Sequence, residues 1–301
     1  MIKIKEKNSG IISATIPIKL DDGVYLNSKK AKEFGEALSE KYCLNQPYPH
    51  IVLDDFLPVN LANEILLNFP NKTNIIEKEY ELNHIGIQEN KRQISPNDSN
   101  TFCRNIFAFF NSASFLEFLE GITKINGLIS DSYFMGGGFH EITNGGKLSI
   151  HADFRINEKL NLNRRLNVLI YLNKNWDENW GGQLEIWDKK MQNKIHNISP
   201  IFNRCVIFNT DATSYHGHPD PIKCTIDISR KSIALYYYTA STAIYNELPS
   251  SSTMFLSRPN EDSLTKRNAF KLRLQNYVKE LLPPILFREI IKLKTNFFKI
   301  K

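Results

Sequence analysis

Apolar residues in the first third of the chain recur at helical spacing. Within Ser28 to Leu44 they fall at Ala31, Phe34, Ala37, Leu38 and Tyr42, which predicts a helix, and Leu61 to Phe69 repeats the pattern after Pro58. Asn97 to Asn126 predicts further helix. Between the first two helices, PYPHIVLDDFLP is a short apolar run bounded by prolines and predicts a strand packed on them, with His50 structural. From Tyr133 the texture changes to KLSIH, RLNVLIYL, GQLEIW, RCVIFN and SIALYYYT, separated by Gly, Asn, Asp and Pro. Strands this short and this closely spaced predict an antiparallel sandwich, jelly roll or barrel. The pairs Gly145-Gly146 and Gly181-Gly182 each precede a strand and are read as turn glycines.

After about Ser250 a Ser-rich link leads to a helical tail. Phe270, Leu274, Tyr277, Val278, Leu281 and Leu282 form one apolar face before Pro283-Pro284. Leu286, Ile290, Leu293 and Phe297 form a second, flanked by Arg288, Lys292, Lys294, Lys299 and Lys301. The fold class is thus mainly β with flanking helices (α+β). Residues 1–130 form a mixed, helical N-terminal part, 131–245 a β core, and 246–301 a linker with a basic amphipathic helical tail.

Composition places the chain among globular proteins: 301 residues, 42% hydrophobic and 23% charged. Charge distribution adds more. Residues 266–301 hold ten Lys or Arg against two acids, so the tail carries +8 of a net +6 and the body −2. A body without a basic stripe argues against nucleic acid as partner. The tail has two readings, a helix packed on the body with a solvated basic side, or an interfacial helix drawn to anionic lipid. Cys43, Cys103, Cys205 and Cys224 stand far apart without CxxC spacing, which excludes a zinc ribbon or dithiol motif and suits a reducing compartment. No leader-like or membrane-spanning apolar run is present, so a cytoplasmic protein is expected, with contact at the inner face of a membrane left open. GGGFH at 136–140 lacks the Gly-Lys-Ser/Thr of a phosphate loop.

The candidate chemistry lies in the strand-rich region. His151-Ala152-Asp153 is followed sixty-five residues later by His216, and fourteen beyond that by Arg230. On a strand, residues two apart share a face, so His151 and Asp153 can offer a nitrogen and an oxygen to one ion. Two imidazoles and one carboxylate form the facial set that holds non-haem Fe(II) and leaves positions open for a co-substrate and oxygen. A guanidinium at Arg230, with the Ser232 hydroxyl on the same face, can grip a carboxylate in two places. His218 shares a strand face with His216, and either can be the distal ligand. Spacing to Arg230 and the His-Gly sequence before a Pro favour His216. His84, His140 and His196 have no ligand-like company.

The segments GGKLSIHADF, RRLNVLIYLNKNW, WGGQLEIW, PIFNRCVIFNT, SYHGHPDP and SRKSIALYYYT, between about Tyr133 and Thr239, together resemble the iron(II) and 2-oxoglutarate-dependent dioxygenases of the prolyl 4-hydroxylase-like group. PYPHIVLDDFLP resembles the entry segment of such proteins. The resemblance implies a double-stranded β-helix (jelly roll, cupin-like) core, Fe(II) on His151, Asp153 and His216, and the far carboxylate of 2-oxoglutarate on Arg230. Ser232 would assist, as would the hydroxyl of Tyr171, which also fits a buried core position. Oxygen would be the second co-substrate and ascorbate a reductant. A carboxylate at 153, where Gly or Ala would leave room for halide, implies hydroxylation.

What is hydroxylated is not written in the motifs. Peptidyl-proline or a small molecule such as a free amino acid is the default. Arg155, Arg164 and Trp180 are read as residues near the mouth that can meet an anionic or sugar substrate, although each fits an ordinary surface or core-edge position better. An envelope-sugar or lipid hydroxylase at the membrane surface is an alternative. A non-catalytic cupin-like module binding metal or sugar is another.

Overall fold

The structure is a computed structural model that describes residues 5–6, 10–70, 87–240 and 252–281. Strands β1 (Lys5–Glu6) and β2 (Ile12–Ser13) precede helices α1 (Ser28–Glu36) and α2 (Ser39–Cys43). The run expected as one helix therefore breaks at Ala37–Leu38, and the break lets Phe34, Leu38 and Tyr42 all bury. The Asn27 side chain caps α1 by accepting from the Lys30 amide. The proline-bounded run is β3 (His50–Asp54), buried along its whole length. His50 is structural, its Nδ1 2.9 Å from the Tyr48 carbonyl and its Nε2 3.1 Å from Asn45. Helix α3 (Val59–Leu67), strand β4 (Gln88–Ile94), helices α4 (Thr101–Phe110) and α5 (Ala113–Thr123) and strand β5 (Ile129–Ser130) complete this part.

The strand-rich region comprises β6 (Gly138–Ala152), β7 (Ile156–Asn157), β8 (Leu162–Tyr171), β9 (Leu184–Trp187), β10 (Lys194–Ile198), β11 (Cys205–Asn209), β12 (His216–His218) and β13 (Arg230–Ala240), followed by β14 (Met254–Phe255) and helix α6 (Ser263–Leu281). The strands run β1-β2-β3-β11-β8-β13-β6-β12-β9-β10, with β4 and β14 also on β6, β5 on β13 and β7 on β8. Only the β2–β3 pairing is parallel among the described strand pairs.

Alternation along the central strands creates two interiors. Leu166, Val168 and Ile170 of β8 and Cys205 and Ile207 of β11 face the helices, where Phe107, Phe110, Phe115 and Phe118 fill one core. Tyr171, Val206 and Phe208 point the other way, into a smaller core shared with Leu184 and Ile186 of β9. The continuous apolar runs in the sequence reflect burial on both faces. A buried ion pair secures the entry strand: Arg204 donates to Asp54 from Nε at 2.7 Å and from Nη2 at 3.2 Å.

Three features depart from expectation. Gly145-Gly146 lie inside the long β6, at a break in its register with β4, not in a turn before a strand. Residues after 251 are more than linker and tail, because β14 pairs with Ala152 and His151 at the end of β6. Helix α6 then docks through Thr265 and Ala269, and its Asn276 Nδ2 donates to the Thr253 carbonyl at 3.1 Å. The expected apolar face of this helix is turned outward: Phe270, Leu274 and Tyr277 are 64%, 52% and 46% exposed. The second basic face, from Leu286 onward, lies outside the described residues, as does His84. Among the described residues no helix is long and apolar enough to cross a membrane.

Candidate active site

The pairing of β12 with β6 sets His216 opposite His151, ring centroids 4.5 Å apart. Gly217 makes this possible. A Cβ there would sit 2.8 Å from the Leu148 and Ser149 carbonyl oxygens, so only glycine lets β12 approach β6 so closely. Asp153 follows immediately after β6, with Oδ1 3.7 Å from His151 Nε2 and Oδ2 3.5 Å from His216 Nε2. One donor atom from each of the three lies within 4.8 Å of the others. His218 is not part of this group. It pairs with Leu148 in β6 and lines the same cavity.

Both imidazoles are oriented so that they could offer a lone pair to a metal ion. The Nδ1 of His151 lies 2.9 Å from the Ser149 carbonyl, and that of His216 2.9 Å from the Ser214 carbonyl. A carbonyl accepts only, so each proton sits on Nδ1 and each Nε2 lone pair faces Asp153. Burial, then the neighbouring His216, pushes His151 down to about 3, and burial lowers His216 as well, so both rings are neutral. Burial alone would raise the Asp153 carboxyl, but Arg164, His216, His151 and a bond from Asn167 hold it well below the usual carboxylate range. Two neutral imidazoles and one carboxylate on the wall of a cavity fit a divalent first-row metal with open positions.

Arg164 is not at the mouth, as expected, but deep inside. Its Nη2 lies 3.1 Å from Asp153 Oδ2, and its Nε and Nη2 donate to Asn167 Oδ1 at 3.1 and 2.6 Å. The guanidinium is sandwiched between the rings of Tyr236 and Phe154, 3.5 and 4.6 Å from their centroids. Asn167 completes the arrangement by donating from Nδ2 to Asp153 Oδ2 at 2.7 Å. Trp180 is likewise away from the mouth, stacked edge-on against Trp176 in a small apolar cluster.

Across the cavity, Arg230 opens β13. Its Nε donates to the Gly182 carbonyl at 2.7 Å and its Nη2 to the Tyr171 hydroxyl at 3.2 Å, which leaves the rest of the guanidinium on the cavity wall. Gly182 has φ +72 and a Cβ there would meet Arg230 Cδ at 3.1 Å, so the Gly181-Gly182 turn is shaped around this arginine. Ser232 sits two residues on, buried and on the same wall. Tyr171 takes the buried core position that the sequence also allowed: it lies fully buried behind Arg230, and Leu169 and Ser232 form the wall beside it. Its hydroxyl positions the guanidinium.

The cavity has a volume of about 200 Å³ and contains residues that the motifs did not reveal: Gln88, Lys91 and Gln93 of β4, His140 of β6, and Thr253 and Phe255 around β14. Phe255 lies 5.4 Å from the His151 ring, so the segment after residue 251 closes the metal side of the cavity.

Comparison with known proteins agrees with this geometry. Residues 137–238 match the family model of the 2OG-Fe(II) oxygenase superfamily. No curated protein matches the chain. Among solved structures, a Trichoplax adhaerens prolyl hydroxylase in complex with a hypoxia inducible factor peptide aligns with TM-score 0.52 and 19% identity, covering 70% of this chain and 91% of that one. A Pseudomonas putida prolyl-4-hydroxylase gives TM-score 0.47 and 17% identity over 68% of this chain and 98% of its own. HygX from Streptomyces hygroscopicus, with nickel and 2-oxoglutarate bound, gives 0.44 and 11% over 70% and 92%. The likeness to the Trichoplax protein identifies the strand arrangement as a double-stranded β-helix. The matched residues run from β6 into β13 and include the His-Asp-His group on the cavity wall, so this region is similar to the 2OG-Fe(II) oxygenases, dioxygenases that use iron and 2-oxoglutarate, and its fold has the prolyl 4-hydroxylase-like form.

Proposed function

We propose that the chain is a hydroxylase in which His151, Asp153 and His216 hold Fe(II), while Arg230 and Ser232 hold the far carboxylate of 2-oxoglutarate. The observation that carries this reading is the convergence of two Nε2 lone pairs and one carboxylate in a cavity whose opposite wall presents a guanidinium. Iron and co-substrate supply the oxidising chemistry, in which 2-oxoglutarate and oxygen yield succinate, CO2 and a hydroxylated C–H position. The protein's own work is positional. The Ser149 and Ser214 carbonyls fix the two rings, Asn167 and Arg164 aim Asp153, and Gly182 and Tyr171 aim Arg230. Phe154, Leu169, Leu184 and Phe255 give the cavity apolar walls that exclude water. The substrate class is a peptide, with proline as default, or a small molecule. The peptide bound to the Trichoplax enzyme supports this by analogy of fold.

The test is succinate formation from 2-oxoglutarate with Fe(II), ascorbate and oxygen, together with the anaerobic absorption of the Fe(II)·2-oxoglutarate complex. Iron-dependent turnover is expected, and Arg230→Leu should raise the KM for 2-oxoglutarate about a hundredfold, the usual cost of removing one partner of a buried charge pair. No turnover together with no absorption band would return the chain to the binding-module reading.

We also propose peripheral contact of the chain with anionic membrane through α6. The supporting observation is the outward stripe Phe270, Leu274 and Tyr277, flanked by Lys266, Arg267 and Lys271. Full-length protein should co-sediment with phosphatidylserine vesicles and not with neutral phosphatidylcholine vesicles, and Phe270→Ser/Leu274→Ser should abolish binding. Unchanged partitioning of the double variant would refute the contact.

A further inference from the structure

A half-buried lysine shares the cavity with the metal group, and the proposed iron and 2-oxoglutarate sites do not use it. Lys91 is on β4, opposite Ile142 of β6. In a regular strand it would face away from Gln88. Here the β4–β6 register breaks between Glu89 and Lys91, with Asn90 at φ 49 and its Nδ2 donating to the Asn144 carbonyl at 2.9 Å. This bulge turns Lys91 onto the same wall as Gln88 and Gln93, while Arg92 points out of the cavity to Glu141 and the Pro70 carbonyl. Among the described residues the Lys91 ammonium has no hydrogen-bond or ion-pair partner.

A second orphan stands near it. His218 is 4% exposed, lines the same cavity, and neither ring nitrogen has a partner. A buried imidazole left without partners is costly, so a molecule that fills the cavity gains by supplying them.

Charge decides what kind of molecule. A divalent ion and a dicarboxylate cancel one another, Asp153 is matched by Arg164, and Arg230 and Lys91 remain, so the loaded cavity is two charges positive. Burial pushes Lys91 down to about 8, with Asp153 opposing and Arg230 and Arg164 adding, as befits an ammonium that lacks an anion.

We propose that the molecule oxidised here carries an acidic group, a carboxylate or a phosphate, and that Lys91 binds this group while His218 hydrogen-bonds the same molecule. The inference rests on the oxygenase reading above and deepens it by naming the substrate's charge. Lys91 is then a specificity determinant placed by a strand bulge, across β6 from Arg230, since both pair with Ile142.

The test uses full-length protein loaded with Mn(II) and the unreactive analogue N-oxalylglycine, titrated calorimetrically with matched probes. N-acetylglutamate against N-acetylglutamine reads a carboxylate, and glycerol phosphate against glycerol reads a phosphate. At least one acidic probe is expected to bind about tenfold or more tightly than its neutral partner, and Lys91→Met should erase that preference while Lys91→Arg retains it. Succinate formation in the iron-loaded enzyme should be stimulated by the same acidic probe. Equal binding of acidic and neutral partners, or no binding by either acid, overturns the proposal. Weaker N-oxalylglycine binding in Lys91→Met also overturns it, by assigning Lys91 to the co-substrate. Failure of wild type to bind N-oxalylglycine in the presence of Mn(II) refutes the underlying oxygenase reading instead.

Discussion

His151→Ala, Asp153→Ala and His216→Ala should each abolish iron-dependent succinate formation, with a loss well beyond the roughly 10–100-fold that follows removal of an outer-shell partner. The three supply all the metal-ligand atoms gathered at this point among the described residues, and each ring is already committed to one orientation by its Nδ1 bond. The fold should survive intact in the two histidine variants, whereas Asp153→Ala also leaves the buried Arg164 without its carboxylate and should melt lower. His151 and His216 each make a single hydrogen bond to a backbone carbonyl two residues away, so truncation removes little that holds strands together. Far-ultraviolet circular dichroism and Mn(II) binding by calorimetry separate the two effects: native spectra with metal affinity lost is the expected result. His218→Ala is the internal control, since His218 is outside the ligand group. It should keep Mn(II) binding. Full activity in any of the three ligand variants would remove the iron assignment.

The convergence of His151, Asp153 and His216 was legible in the sequence because it follows from strand periodicity and pairing. A His and an Asp two residues apart at a strand end converge by strand periodicity, and the second His and the Arg sit where short paired strands begin. The residues around them were not legible, and the reason is specific. Lys91, Arg164 and Asn167 each reach the cavity beside a register break, at Glu89/Lys91 in the β4–β6 pair and at Tyr237/Tyr238 in the β13–β8 pair. A bulge inserts one residue and reverses which side chains face inward beyond it. Period-two counting along β8 from Leu169 therefore places Asn167 in the cavity but assigns Arg164 to the wrong side, and counting along β4 from Gln88 does the same to Lys91. Arg164 and Asn167 are three apart, a spacing that an unbroken strand would put on opposite faces.

The tail shows the opposite limit. Helical periodicity found α6 and its apolar stripe, but periodicity cannot say which stripe packs. The smaller face with Thr265 and Ala269 is the buried one, on a helix that follows directly from the pairing of β14 with β6. Thr253 and Phe255 line the cavity through the same pairing of β14 with the end of β6 across about a hundred residues of chain that no local pattern encodes.

Arg164 supplies the second large effect, because it neutralises a buried carboxylate that a bound metal would also neutralise. Its side chain is 1% exposed and that of Asp153 10%, so the pair is in a poorly screened setting. Arg164→Met keeps most of the volume between Tyr236 and Phe154 but leaves Asp153 with the Asn167 bond and no opposite charge. Removing one partner of such a pair costs about 3–5 kcal/mol. For a chain of this size that corresponds to a drop in Tm of about 5–8 °C in the metal-free protein. Mn(II) supplies the missing positive charge to Asp153 directly, and anything that binds only the folded state stabilises it by mass action. The variant should therefore gain more from saturating Mn(II) than wild type does, and the two melting curves should converge as metal is added. Arg164→Lys should fall between them, since it keeps the charge but loses the planar fork and the ring stacking. Equal Mn(II) shifts in variant and wild type would show that Arg164 and the metal do not share Asp153, and would assign the arginine to packing between Tyr236 and Phe154 alone.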